Sequence, residues 1–123
     1  MIEAFAHEAT LEMPDGSDTR GPGGAITTAL CDSLDHEPPC PLAAHYTGVD
    51  VEGTKVRLRI LFATETLAAG RVRALIAGAL ATSAFTSPEG NAISWRLVDD
   101  GPSGVHPAER DHAQRLIAST AGG

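Results

Sequence analysis

Aromatic side chains are scarce in this chain: Phe5, Tyr46, Phe62, Phe85 and Trp95 are all that its 123 residues contain. A core must then be built from Leu, Ile, Val and Ala, with the rings filling isolated large positions. Lysine is scarcer still. Lys55 stands alone among nine basic residues, and 16 acidic residues bring the formal net charge to −7. Nucleic-acid binding depends on clustered basic side chains that displace counterions from phosphates, so this balance excludes nucleic acid as a partner. Arginine in place of lysine, with abundant alanine and 13 glycines, suggests a bacterial source of high GC content.

No stretch approaches the roughly 18 apolar residues of a membrane span. The opening MIEAFAHEATLEMPDG has no basic segment followed by an apolar run, which excludes a secretion signal there. The expectation is a cytoplasmic protein without a membrane partner. In that reducing compartment two cysteines are more often thiols, metal ligands or a redox couple than a permanent disulfide. Two catalytic signatures are missing as well. There is no G-x-S-x-G elbow, and GPGGA at 21–25 lacks the GK[ST] end of a phosphate loop, so it reads as a flexible connection.

The length fits one domain, residues 1–123. Residues 2–13 alternate as a strand, with Phe5, His7, Ala9, Leu11 and Met13 on one side. Residues 14–24 concentrate Pro, Gly, Asp and Ser and read as a loop. Residues 25–34 divide: Ala25, Ala29 and Leu30 suit a helix, whereas the β-branched run Ile26, Thr27, Thr28 favours a strand, which is the preferred reading. HYTGVDV and KVRLRILFAT flank Glu52 and Gly53 as a hairpin, Val56, Leu58, Ile60 and Phe62 facing inward and Lys55, Arg57 and Arg59 outward.

Thr64 is the expected N-cap of a helix reaching Ala81, its stripe formed by Val72, Leu75, Ile76, Ala79 and Leu80. After a turn at 87–91, ISWRLVDD reads as a strand that DGPSG ends, and a last helix starts near Pro107. These elements predict an α+β fold: a two-layer sandwich in which a mostly antiparallel sheet of about five strands is covered on one face by two helices. If 25–34 were helical, the order would become the ferredoxin-like βαββαβ plus a C-terminal helix.

The densest chemistry lies in CDSLDHEPPCPLAAH, where Cys31, His36, Cys40 and His45 follow a C-x4-H-x3-C-x4-H spacing. Two thiolates and two imidazoles are the ligand set of a closed tetrahedral zinc site, although no tight C-x2-C knuckle is present. A proline-stiffened connection carrying Pro38, Pro39 and Pro41 would let the four converge, with His7, Asp32, Asp35 or Glu37 replacing or orienting a ligand. The expected function is therefore a small metal-binding protein holding zinc or a similar transition metal in a structural or metal-handling role. Competing readings are a buried apolar Cys31 beside a loop thiol at Cys40, or a Cys31 to Cys40 disulfide.

Three further readings concern other classes. An enzyme or ligand-binding protein would place its pocket between the sheet and loop 14–24, with His7, Cys31 or His45 as acid, base or nucleophile. A homodimer would bury an exposed strand against its copy. The row Lys55, Arg57, Arg59 would bind an anionic ligand or simply solvate a strand face. Glu109 and His112, three apart in HPAERDH, share a helix face as in carboxylate-bridged metal sites, but no other long helix offers the remaining carboxylates.

Overall fold

The strand most plainly legible in the sequence is the one on which the sheet is registered. The computed structural model describes residues 2–31 and 43–121. In chain order its elements are β1 (Ile2–Glu12), α1 (Arg20–Cys31), β2 (Ala44–Glu52), β3 (Lys55–Glu65), α2 (Ala69–Ala81), β4 (Ala84–Thr86), β5 (Ala92–Ser94), β6 (Arg96–Ser103) and α3 (Arg110–Ala121). The main sheet has the order β2-β3-β1-β6 and every neighbouring pair is antiparallel, while β4 and β5 form a separate small hairpin. The fold is α+β, and its main elements follow the βαββαβ order with the β4–β5 hairpin inserted and a helix appended.

Strand alternation decides which residues meet the helices. Leu11 lies opposite Val56, Ala9 opposite Leu58 and Phe5 opposite Phe62. These side chains form one cluster with Ile26 and Leu30 of α1 and Val72, Ile76 and Leu80 of α2. Each fully buried Leu, Ile or Val contributes about 1.5–3 kcal/mol relative to exposure, and this cluster supplies most of the apolar burial. The opposite face is lined near one end by small residues: Ala6 faces Leu61, and Ala63 lies between Ala4 and Ala44. Ala6, Ala44, Leu61 and Ala63 are all buried there, as is Ala113 of α3. The two helices expected together on one face, those of residues 64–81 and after Pro107, are separated: α2 lies on the core face beside α1, and α3 takes the other.

Residues 25–34, expected as a strand, are helical in their described part. The helix starts earlier than expected, taking in residues 20–24 of the expected loop. Asp18 accepts from the Arg20 backbone N–H at 3.0 Å, satisfying a helix-end donor. Pro22 in the first turn costs no hydrogen bond. The glycines are there for packing. A Cβ on Gly21 would lie 2.4 Å from Ile93 Cγ2, and one on Gly24 would lie 2.7 Å from Phe85 Cε2. Helix α1 can therefore seat against the β4–β5 hairpin only where side chains are absent.

Three other boundaries move for tertiary reasons. Thr64 is a buried strand residue, and a 3₁₀ turn, Thr66–Ala68, leads into α2. The expected strand ISWRLVDD is split, since Ile93 belongs to the small hairpin and β6 starts at Arg96. The Trp95 between them donates from Nε1 to the Leu80 carbonyl at 2.9 Å, closing the end of α2. β6 then continues through Gly101 and Pro102, because pairing with β1 continues, and an outer strand tolerates a residue with no N–H to donate.

Gly21→Ala should destabilise the protein by roughly 1–3 kcal/mol through overpacking against Ile93, despite a helix-propensity gain of about 1 kcal/mol. Gly78→Ala, on an open face of α2, should instead stabilise by roughly 0.5–1 kcal/mol. Urea unfolding of both variants checks the pair, and a stabilised Gly21→Ala would show that the close approach is not a constraint.

Candidate functional site

One side chain fixes α3 to the sheet. Arg59, at the centre of β3 on the face away from α1 and α2, spends all five of its N–H donors on protein acceptors. Nε and one terminal nitrogen grip the two oxygens of Glu109 at 2.9 and 2.8 Å. The remaining donors reach the carboxylate of Glu8, the Ser103 hydroxyl at 2.8 Å and the Gly104 carbonyl at 2.9 Å. Glu109 also accepts from the His106 backbone N–H at 2.9 Å, in the 3₁₀ turn Pro107–Glu109 that opens α3. The Arg59 hydrogen bonds, helped by that N–H, hold Glu109 down at about 2. Farther along the helix, His112 rests on Tyr46 with ring centroids 4.2 Å apart. Glu109 and His112 thus serve docking.

Helix α3 covers only part of that sheet face. The uncovered part is an open groove of about 710 Å³. One row of residues crosses its floor: Asp50 of β2 faces Arg57 of β3, Arg57 faces Thr10 of β1, and Thr10 faces Asp99 of β6. Glu8, Arg59 and Gly48 border this row. Adjacent strands lie about 4.8 Å apart, so the row spans roughly 14 Å. The side chains of Arg57, Asp50 and Asp99 form no ion pair or hydrogen bond with another described residue. The basic row singled out in the sequence therefore divides. Arg59 is consumed in structure, whereas Arg57 presents its guanidinium to the groove.

The opposite face of β2 carries the one expected metal ligand whose side chain is described. His45 enters the seam between β2 and α1, where Nε2 is 3.1 Å from Thr27 Oγ1 and Nδ1 is 3.3 Å from the Ala43 carbonyl oxygen. Burial pushes its pKa below the ordinary histidine value. His36, Cys40, Asp32, Asp35, Glu37 and the side chain of Cys31 lie outside the described residues; Cys31 itself ends α1. Among the described residues no group of three or more His, Cys, Asp or Glu side chains could hold a metal ion. The expected zinc-binding function is overturned on that finding, and both nitrogens of His45 already have protein partners.

His7, the expected substitute ligand or acid–base group, is buried at 3% exposure. Its Nε2 lies 2.8 Å from Asp100 and its Nδ1 3.3 Å from Arg73. A guanidinium only donates, so Nδ1 accepts and the Nε2 proton goes to Asp100. Arg73 also donates to the Ala6 carbonyl at 2.6 Å and lies 5.3 Å over the Phe62 ring. His7 thus ties β1, β6 and α2 together. Among the described residues no helix is long and apolar enough to cross a membrane. Comparison of the chain with protein-family models, curated proteins and solved structures finds no match.

The groove residue Thr10 and the seam residue Thr27 were not reachable from sequence. Strand register places the first, and a helix read as a strand hides the second.

Because the folded value of Glu109, about 2, lies below the ordinary 4.5, its pairing stabilises fully above that ordinary value. The contribution is lost as pH falls from there toward about 2. Glu109→Gln should lower stability near neutral pH by roughly 1.5 kcal/mol, the scale of one charge-assisted hydrogen bond. The variant should also lose part of the acid limb in urea unfolding followed across pH. An acid limb as steep as that of the wild type would contradict this assignment.

Proposed function

We propose that the protein binds a small polar molecule carrying both an anionic and a cationic group, held on the groove floor beside α3. The observation that carries this reading is Arg57, a guanidinium without a partner among the described residues, flanked across the strands by unpaired Asp50 and Asp99. A free planar fork is suited to a carboxylate or phosphate in bidentate contact. The two carboxylates are suited to an ammonium group a few ångströms away, and Thr10 adds a hydroxyl between them. Gly48 adds no side chain beside Arg59, and the groove volume falls in the ~300–1,000 Å³ range of small-molecule sites. Amino acids and short peptides have this charge arrangement.

A homodimer is a second reading, supported by β2. It is an outer strand of the sheet, with Tyr46, Val49 and Val51 exposed at 47, 43 and 51%. Antiparallel pairing of two copies centred on Gly48 would keep Asp50 and Glu52 away from their own copies, whereas parallel in-register pairing would set like charges opposite. Sedimentation of the ligand-free protein reads this directly. A bacterial source rests on composition alone.

Binding is tested by titrating isotope-labelled protein with a panel of free amino acids and dipeptides and following backbone amide resonances. At least one probe should give saturable shifts at Thr10, Gly48 and Arg57. Arg57→Gln should weaken that binding about tenfold or more, while Arg71→Gln, on exposed α2 surface, should leave it unchanged. Absence of saturable shifts across the panel, or equal binding by Arg57→Gln, would refute the proposal.

A further inference from the structure

A second recess, of about 350 Å³, lies on the other side of β2 against α1 and is lined by Thr19, Arg20, Gly23, Thr27, His45 and Thr47. Its chemistry differs from that of the groove. The Ala43 carbonyl can only accept, so the proton on His45 sits at Nδ1, and Nε2 presents its lone pair to the Thr27 hydroxyl at 3.1 Å. A hydroxyl, an imidazole within hydrogen-bond reach and a third group fixing the imidazole are the three parts of an activated nucleophile. Thr47, two residues along the same strand face, has a buried hydroxyl without a partner among the described residues, a donor still unspent beside the pair. Gly23 adds no side chain to the recess; a Cβ there would lie 3.9 Å from Thr47.

We infer that Thr27 is an acyl acceptor, with His45 as its base, for small activated esters that enter the α1–β2 recess. In this step Thr27 Oγ attacks the ester carbonyl carbon while its proton passes to His45 Nε2. The carbonyl-to-leaving-oxygen bond breaks, and the leaving oxygen takes the proton from Nε2. An acyl-threonine and a free alcohol or phenol result, with no oxidant, reductant or metal required. Burial keeps His45 unprotonated at neutral pH and so able to accept the proton.

The test is incubation of the full-length protein with p-nitrophenyl acetate near neutral pH, followed by intact mass and peptide mapping. The expected result is one acetyl group per chain, located on Thr27, absent from Thr27→Val and present in Thr28→Val. His45→Asn should acetylate Thr27 about 100-fold more slowly, the scale of a lost general base. Acetyl confined to Lys55, the amino terminus or His45 in the wild type would overturn the inference, as would no acetylation at all. The wild-type map decides the question even if His45→Asn fails to fold.

Discussion

The Arg59 guanidinium is the contact on which the rest of the arrangement turns. It sits near the middle of β3, an inner strand, on the face opposite the main core, and its five donors reach β1, the end of β6, the loop after it and the 3₁₀ turn that opens α3. A guanidinium held in a strand face needs several acceptors to offset its desolvation, and a carboxylate lost from this set would leave the others poorly served. The position of α3 follows. With Glu109 gripped at one end and Ala113 and His112 lying over small residues and Tyr46, the helix covers one end of the sheet face and leaves the rest open.

The two faces of the sheet therefore have different chemistry. Beneath α1 and α2 the sheet is mostly apolar, and the ring nitrogens of the two histidines it carries, His7 and His45, have protein partners. On the far face the strands present charge, and α3 divides it into a satisfied cluster around Arg59 and an unsatisfied row around Arg57. The groove lies on the side of Arg59 away from the part of the sheet that α3 covers. The Arg57 side chain has no partner among the described residues, whereas Arg59, two residues on, holds the Glu8 and Glu109 carboxylates.

What could be read from the sequence was what depends on local periodicity. Alternation in β1 and β3, the turn at Gly53 with φ of 63°, and the stripe Val72, Ile76, Leu80 all follow from spacing alone. Contacts distant in sequence decide the remainder. Gly21 and Gly24 resemble a flexible loop until Ile93 and Phe85, some sixty to seventy residues on, are seen to need the space. Gly101 and Pro102 look like a strand end, but β1 pairs with them. The Cys31 to His45 stretch has the right ligand types for zinc, yet residue type does not fix where a side chain points. His45 turns into the α1 seam, and Thr27 meets it only because residues 20–31 are helical.

The central claim, that Arg59 docks α3 and thereby leaves the groove open, is tested most directly by native-state amide hydrogen exchange on Arg59→Met. If Arg59 carries the docking, protection should fall across Arg110–Ala121 by about tenfold or more, while the paired amides of β1 and β3 lose much less. Unchanged protection in α3, or an equal loss throughout the sheet, would contradict it.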